Sequence, residues 1–278
     1  MIEIKEKTLC VVMPFYIGTD YKTLMRAIRS IAEQFDERYE LLLVCDGIKP
    51  EYYYDLQTII KNTYSNLSFE ILHYHKNMGP GYARDFAIKR TNCKYIAIMD
   101  SDDIARPYRL KKQLDFLLSN LDVSVHGGYI QEFNVYDSSF RLRTVPIYDS
   151  EIKSVMKIKS PINNVTAMFN REHYLNCGGF PFIRSSEDYC LWGRFALHGY
   201  KFHNVPEILV DVEFDPKVLS RRCGWLHFMN DCFTQRTLLH GNLISFKRYL
   251  INILKYFIFR FLPGSIKLFL YRHFLRVQ

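Results

Sequence analysis

Short apolar runs alternate with helix-like segments through the first 120 residues, and no other feature of the sequence constrains the fold more. The runs cover residues 8–13, 39–45, 69–74 and 95–99. Between the first two runs, Leu24, Ile28 and Ile31 recur at helical spacing within residues 21–35. Strands that alternate with helices in this way predict an α/β fold, with a mostly parallel sheet and helices on both of its faces.

Acidic residues follow two of the predicted strands. Asp46 follows the second run directly, and residues 100–103 (Asp-Ser-Asp-Asp) follow the fourth. In open α/β sheets, ligands bind beyond the carboxyl ends of the parallel strands. These acidic residues are therefore candidates for a ligand-binding site.

The spacing of Asp100 and Asp102 suits a divalent cation. In an extended segment, their side chains point to the same side. Two carboxylates placed in this way can share Mg²⁺ or Mn²⁺, while phosphate oxygens complete the coordination shell. The alternative is an acidic turn that caps a helix beginning near Pro107.

The basic residues are concentrated at the C-terminal end. The formal net charge is +8, and eight of the 37 Lys and Arg residues, but no Asp or Glu, lie beyond Asp231. Residues 246–262 have one apolar helical face, with Arg248 and Lys255 largely opposite, and the stretch is shorter than the ~20 residues that span a bilayer. It predicts an amphipathic helix on an anionic membrane surface. A helical pair packed on the body or on a second subunit is the alternative.

The charge distribution also suggests two domains, residues 1–217 and a basic, aromatic helical tail of residues 218–278. The seven Cys residues include no CxxC pair, and their odd number argues against a disulfide framework. The N-terminal residues lack the pattern of a signal peptide. We therefore expect a cytoplasmic protein, peripheral on the inner face of the cytoplasmic membrane. Nucleic acid is not an expected partner, because the tail face opposite the charges is apolar.

Residues 95–113 (YIAIMDSDDIARPYRLKKQ) closely resemble the metal-binding DxD segment of glycosyltransferase family 2. Other segments are similar to the family's motifs and follow in its order: VVMPFY (11–16), LLLVCDG (41–47), NMGPGYARDFAI (77–88), SPINNVTAMF (160–169), CGGF (177–180) and SSEDYCLWGRFALHGYKFHNVPE (185–207). The resemblance covers about residues 8–215 and implies a GT-A catalytic domain over residues 1–217. The chain departs from the pattern at Cys45, where Asp is usual, and at Ile17, where Asn is common.

The resemblance implies a role for each matching residue. Asp188, in the family's Glu-Asp pair, would be the general base. Asp102 and Asp103 would be ligands of Mn²⁺ or Mg²⁺, and the acceptor would lie near Gly179, Glu187 and Trp192. Residues at strand ends and helix starts would bind the nucleotide-sugar: Pro14, Phe15, Tyr16, Asp46, Arg84, Asp100, Ser101 and Asp102.

The resemblance also implies the reaction. The expected enzyme is a metal-dependent, inverting hexosyl- or N-acetylhexosaminyltransferase that uses a UDP-sugar. Its acceptor would be a saccharide or lipid-linked saccharide in capsule, O-antigen or lipooligosaccharide biosynthesis. A carboxylate that takes the proton of the acceptor hydroxyl contributes ~10²–10⁴-fold to such a reaction. Two alternatives stay open, namely a nucleotidyltransferase and an inactive, membrane-attached binding or scaffold protein on a transferase fold.

Overall fold

The computed structural model describes residues 7–262 except 35, 48, 50–52, 135–138 and 215–222, together with residue 266. Nine strands in this part of the chain form one sheet. The strands are β1 (Leu9–Phe15), β2 (Tyr39–Asp46), β3 (Phe69–Tyr74), β4 (Tyr95–Ile98), β5 (Ile104–Ala105), β6 (Val123–Asn134), β7 (Phe140–Arg143), β8 (Met168–Asn170) and β9 (Lys201–Phe214). The helices are α1 (Tyr21–Ala32), α2 (Tyr54–Thr63), α3 (Pro80–Ile88), α4 (Arg109–Ser119), α5 (Asp149–Met156), α6 (Arg171–Asn176), α7 (Glu187–Leu197), α8 (Trp225–His240) and α9 (Phe246–Phe261).

The first half of the sheet is parallel and follows the predicted alternation of strands and helices. β1 pairs with β2 and β4, and β2 pairs with β3, all in parallel. β8 then joins β4 and β6 in antiparallel fashion, while β6 and β9 pair in parallel. The strand order is β3-β2-β1-β4-β8-β6-β9-β5, with β7 paired to β6. Antiparallel pairs therefore enter only in the second half of the sheet, where the sequence pattern is less regular.

Alternate residues of β1 enter two different cores. Cys10 and Val12 pack in one core with residues of α3 and α7. Val11 and Met13 pack in the other with residues of α1 and α4. This period of two follows from strand geometry, and each such buried side chain contributes roughly 1.5–3 kcal/mol. Helices therefore cover both faces of the sheet, as predicted.

The helices α8 and α9 pack on the rest of the protein. Leu238 of α8 lies in the same core as β1 and α7, as does Ile244. Gly193 of α7 permits the close approach, because a Cβ atom there would lie 2.5 Å from Cδ2 of Leu238. The predicted boundary at residues 217/218 lies outside the described residues, as does most of the chain after Leu262. Residues of α8 and of the segment before α9 therefore contribute to the core of the preceding region, and the division into two domains stays a prediction.

The helix α9 turns two polar residues inward and several large apolar residues outward. Asn252 is buried, and the side chain of Arg260 is only 10% exposed. The outer face carries large apolar residues that are 46–60% exposed: Leu250, Leu254, Phe257, Ile258 and Phe261. This is the reverse of the usual arrangement in a surface helix. Among the described helices, none has the length and apolar character to cross a bilayer.

Candidate active site

Three parallel strands end at one rim of the sheet and place the predicted ligand-binding residues side by side. Phe15 of β1 lies opposite Cys45 of β2 in the register. Met99, directly after β4, donates its N–H to the carbonyl of Val12 at 3.1 Å. Residues 14–16, Asp46 and residues 100–103 are consequently neighbours along this rim.

The aromatic residues at the end of β1 differ in exposure. Phe15 is buried, whereas Tyr16 is 48% exposed. The ring of Tyr16 lies against Gly18, where a Cβ atom would be 2.5 Å from its Cε2. Pro14 is half-buried between them and the core. Of the three predicted base-binding residues, Tyr16 therefore presents the largest accessible surface.

Asp46 holds the loop that precedes α3. Its Oδ1 accepts hydrogen bonds from the hydroxyl of Tyr74 at 2.9 Å and from the N–H of Met78 at 2.7 Å, and its Oδ2 accepts from the N–H of Gly79 at 2.9 Å. The residue is buried. We predicted that its carboxylate contacts the nucleoside. In this structure both oxygens fix the loop, and a contact of Asp46 with the nucleoside stays a prediction.

Arg84 connects the DxD segment to the Glu-Asp pair. Its Nη2 donates to Oδ1 of Asp100 at 2.6 Å, and its Nη1 donates to Oε1 of Glu187 at 3.2 Å. Burial of the guanidinium acts to lower its pKa, but Asp100 and Glu187 outweigh burial and raise the pKa of Arg84 above its usual value. We predicted that Arg84 holds the nucleotide and that Glu187 faces the acceptor. In this structure both are buried, and Arg84 contacts Asp100 and Glu187, so the two predicted roles stay predictions.

Asp102 is the exposed member of the DxD segment, and both like charges and the cation of Arg26 act on its carboxylate. Partial loss of water around its carboxylate raises the pKa of Asp102 to about 6, with further contributions from Asp100 and Glu213. Ser101, between the two aspartates, is buried. The ionised form of Asp102 is thus disfavoured first by loss of hydration and then by the nearby carboxylates.

Asp103 points into the protein. It is buried, and its Oδ1 accepts a hydrogen bond from the N–H of Glu213 in β9 at 3.2 Å. Burial, together with Asp100 and Asp102, raises its pKa well above the usual value. We predicted Asp103 as a metal ligand. In this structure the side chain attaches the DxD segment to the end of β9, and its role as a metal ligand stays a prediction.

The remaining carboxylates at the rim fit a divalent cation that is shared with a phosphate ligand. In the part of the chain that the structure describes, no three His, Cys, Asp or Glu side chains converge as a complete metal site. Asp102 and Asp100 provide hard oxygen donors, and their mutual repulsion is a reason to expect a cation between them. The protein would then supply part of the shell, and phosphate oxygens and water the rest.

Asp188 lies in the first turn of α7, next to the residue that Arg84 holds. It is half-buried, and its carboxylate makes no hydrogen bond to another described residue. Ser186, two positions before Asp188, has a left-handed backbone conformation with φ 60°. This conformation costs about 1–3 kcal/mol for a residue other than glycine. The helix dipole favours a carboxylate at this position. Asp188 therefore has a carboxylate that is not hydrogen-bonded to another described residue, and it follows a turn with a strained backbone.

Two predicted acceptor-side residues are structural. Trp192 is fully buried and packs on Phe169, with ring centroids 6.0 Å apart. Gly179 is buried with φ 65°, and a Cβ atom there would lie 2.8 Å from the hydroxyl of Tyr174. Its carbonyl accepts a hydrogen bond from Arg194 at 2.7 Å. Neither residue is exposed in this structure, and their acceptor-side roles stay predictions.

Sequence reasoning missed two arginines that contact the end of β4 and the DxD segment. Arg26 of α1 donates to the carbonyl of Asp102 at 3.2 Å and pairs with Glu213 at 2.6 Å. Arg109 of α4 is buried beneath the segment and donates to the carbonyl of Ile98 at 2.8 Å, and burial lowers its pKa to about 9. Arg109 lies within the motif at residues 95–113, which is a usable signal. No local signal pairs Arg26 with a residue 187 positions away.

Comparison with known sequences gives the class of protein. Residues 10–179 match the family described as Glycosyl transferase family 2. This match covers more than half of the chain, so the chain belongs to glycosyltransferase family 2. The protein is a glycosyltransferase, in agreement with the prediction from its motifs.

Several relatives are bacterial enzymes of polysaccharide assembly. The chain is 28% identical over 268 residues to the UDP-Gal:alpha-D-GlcNAc-diphosphoundecaprenol beta-1,3-galactosyltransferase of Escherichia coli, with 96% of both chains covered. It is 26% identical over 261 residues to the amylovoran biosynthesis glycosyltransferase AmsE of Erwinia amylovora, with 94% of this chain and 97% of the relative covered. It is 29% identical over 200 residues to the O-antigen biosynthesis glycosyltransferase WbnJ of Escherichia coli, with 69% and 74% covered.

Solved structures share the fold. TarS of S. aureus, residues 1–349, superposes with a TM-score of 0.66 at 17% identity, covering 90% of this chain and 72% of that chain. The mannosyltransferase PcManGT of Pyrobaculum calidifontis, solved with GDP-Man and Mn²⁺, gives a TM-score of 0.61 at 15% identity, with 96% and 80% covered. At these identities the likeness concerns the fold alone. The predicted GT-A fold is confirmed.

Proposed function

We propose that this protein is a metal-dependent, inverting glycosyltransferase that moves a sugar from a UDP-sugar to a lipid-linked saccharide. The observation that carries the proposal is the contact of Arg84 with both Asp100 and Glu187. This contact joins the acidic rim to the turn that bears Asp188. One buried arginine thus links Asp100 of the DxD segment to Glu187, the residue directly before Asp188.

Asp188 would act on the acceptor. Its carboxylate takes the proton of the acceptor hydroxyl as that oxygen bonds to the anomeric carbon, and the bond from this carbon to the diphosphate oxygen breaks on the opposite face. Such general-base assistance contributes ~10²–10⁴-fold. The configuration at the anomeric carbon is inverted, because the reaction is a single in-line displacement.

Asp102 and Asp100 would act on the donor. They hold Mn²⁺ or Mg²⁺, which when bound neutralises the charge that develops on the leaving diphosphate. Arg84 keeps Asp100 in place, and Arg26 fixes the backbone at Asp102. Tyr16 offers an exposed ring at the rim for the base, beside Pro14 and Phe15.

The relatives support the choice of substrates. The name of the Escherichia coli galactosyltransferase specifies a UDP-sugar donor and an acceptor linked to diphosphoundecaprenol, and this chain covers 96% of that enzyme. TarS has been solved with UDP-GlcNAc bound. We therefore assign this protein a hexose or N-acetylhexosamine donor and an acceptor on a polyprenyl diphosphate, in the assembly of a surface polysaccharide.

The outer face of α9 supports attachment to the membrane that carries such an acceptor. Exposed apolar residues on this face, among them Leu254 and Phe257, lie beside the exposed cations Lys247 and Lys255. Apolar burial together with attraction to anionic lipid is how interfacial helices bind, and each cation adds roughly 1 kcal/mol. The protein would thus be peripheral on the inner face of the cytoplasmic membrane.

A donor screen tests the proposed function. The full chain is incubated with GlcNAc-diphosphoundecaprenol and UDP-Gal, UDP-Glc, UDP-GlcNAc or GDP-Man, with Mn²⁺ or with a chelator. We expect release of UDP and a mass increase of one sugar in the lipid, both lost with chelator and in the Asp188→Asn variant. Release of a sugar 1-phosphate in place of UDP would instead indicate attack at the α-phosphate, as in a nucleotidyltransferase. Donor binding with no turnover in any combination would indicate a binding protein.

A further inference from the structure

We infer that Asp231 and Arg260, on the two C-terminal helices, position the turn that carries the candidate base Asp188. The inference rests on the proposed function, because it assigns a catalytic purpose to contacts around that residue. It makes α8 and α9 a part of the catalytic apparatus.

Ser186 is the point at which α8 holds this turn. Its backbone is left-handed, with φ 60° and ψ 15°, and a residue with a side chain keeps this conformation only where its surroundings enforce it. The hydroxyl of Ser186 donates to Oδ1 of Asp231 at 2.6 Å. The carbonyl of Ser186 accepts from the hydroxyl of Thr234 at 3.2 Å. Side chains of α8 therefore grip both the side chain and the backbone of the residue two positions before Asp188.

Asp231 is itself held by α9. Nε of Arg260 lies 2.6 Å from its Oδ2, and Nη2 lies 3.0 Å from its Oδ1. The carboxylate is 1% exposed and the guanidinium side chain 10% exposed. The planar fork of an arginine fixes the orientation of a carboxylate that it binds through two hydrogen bonds. The acceptor of the Ser186 hydroxyl is consequently rigid, and it is the last acidic residue of the chain.

A second contact shows that one face of α8 is built around this turn. Asn230 donates its Nδ2 to Oγ of Ser185 at 3.0 Å, and Nδ1 of His227 lies 2.9 Å from the same oxygen. With Asp231 and Thr234, these side chains recur at three- and four-residue spacing and so share one face of the helix. This face contacts both serines that precede the Glu-Asp pair.

The two helices are also joined by a contact that does not involve the Asp231–Arg260 pair. Asn252 of α9 is buried and donates to Oε1 of Gln235 in α8 at 2.7 Å and to the carbonyl of Lys157 at 2.9 Å. This contact joins the same two helices to the body without touching the turn. A buried ion pair is weak support for stability, since apolar residues of similar volume often serve as well. Asn252 therefore provides a matched control for a purely structural role.

The test compares four variants of the full chain: Ser186→Ala, Asp231→Asn, the double variant and Asn252→Ala. We expect Ser186→Ala and Asp231→Asn each to lower kcat at least tenfold, with the binding of UDP and Mn²⁺ unchanged. The double variant should be no slower than the slower single variant, because both residues act along one route. Asn252→Ala should lower the melting temperature while kcat stays within twofold. Hydrogen exchange at the amides of residues 186–190 should rise in the first three variants only.

Several outcomes would overturn the inference. These are kcat values within twofold for Ser186→Ala, multiplicative losses in the double variant, or exchange at residues 186–190 that is unchanged by Ser186→Ala. If Asp231→Asn fails to fold, Ser186→Ala decides alone, because it leaves the ion pair intact. An inert Asp188→Asn beside a fully active Ser186→Ala would contradict this inference and leave the proposed function standing. An active Asp188→Asn would contradict the proposed function itself.

Discussion

The acidic rim and the helical pair α8–α9 differ in the surroundings of their carboxylates. At the rim, Asp102 is exposed beside like charges, and its pKa is raised to about 6. In the helical pair, Asp231 is buried but fully matched by Arg260 and Ser186. Removing one partner of a matched buried pair is costly, whereas the cost of an unmatched carboxylate is relieved by a proton or a bound cation. The difference separates the region that binds a ligand from the region that holds it in place.

The two regions also differ in apolar surface. The rim is covered by helices on both faces of the sheet, and its exposed apolar surface is concentrated at Tyr16 and Ile17. The outer side of α8 and α9 exposes a continuous series of large residues, including Trp225, Leu254 and Phe257. Chemistry and attachment are therefore assigned to different sides of the protein, joined by the inward-facing Arg260.

The largest expected effect is on catalysis. Asp188→Asn removes the proton acceptor but keeps the shape of the turn, so kcat should fall by ~10²–10⁴-fold. Binding of UDP and Mn²⁺, measured by calorimetry, should stay within threefold of the wild type. Retention of more than a tenth of the wild-type kcat would remove Asp188 from the role of base.

The second effect is on stability and tests the matched carboxylate. Asp231→Ala leaves the buried guanidinium of Arg260 unpaired, which should cost about 3–5 kcal/mol. At roughly 2–4 °C per kcal/mol for a chain of this length, the melting temperature should fall by about 10 °C in a thermal scan. A fall below about 2 °C would show that the pair is not needed for folding.

The third effect concerns the apolar surface. Leu254→Glu with Phe257→Glu should weaken binding to phosphatidylglycerol vesicles by at least about a hundredfold, since each buried side chain contributes roughly 1.5–3 kcal/mol. The melting temperature should change little, because both side chains are exposed. Leu121→Glu is the matched control, an exposed leucine after α4 that should leave vesicle sedimentation unchanged. Equal binding by the double variant would leave α9 without a membrane role.

The smallest effect has the opposite sign to that of Asp231. The folded-state pKa of Asp102 lies above its ordinary value, so its neutral form stabilises the fold at low pH, and this stabilisation is lost as pH rises through about 6. Asp102→Asn should therefore raise the melting temperature at pH 7.5 in chelator, with a gain of only about 1 kcal/mol because solvent screens the exposed carboxylate. The gain should disappear at pH 4. A loss of stability at pH 7.5 would mean that Asp102 is not an unmatched charge.

The sequence predicted the architecture and the location of the site from two kinds of local signal. The alternation of apolar runs with helical segments predicts β1 to β4, and the acidic residues that follow β2 and β4 mark the rim. The order of the family's motifs adds Asp188, which lies far along the chain from the rim. These predictions depend on the period of the apolar residues and on the order of the motifs, and both can be read directly from the sequence.

The roles of single residues were harder to predict, because they depend on partners distant in sequence. Arg84, which we predicted to hold the nucleotide, is buried and contacts Glu187, 103 positions away. The carboxylate of Asp46 similarly accepts hydrogen bonds from a loop more than 30 positions later. For α9, the period reveals two faces but not which face is inside. The buried Asn252 and Arg260 reverse the usual assignment, and only their contacts with α8 and the body show it.

The most direct test of the central claim is the binding of UDP to the wild type and to Asp102→Asn, measured by calorimetry with Mn²⁺ and with a chelator. Asp103→Asn is the neighbouring control, because Asp103 faces β9. We predict binding to the wild type and Asp103→Asn that requires Mn²⁺, and a loss of at least tenfold in affinity for Asp102→Asn. UDP binding that is the same in chelator, or the same in Asp102→Asn as in the wild type, would contradict a nucleotide-sugar site organised by a cation at this rim.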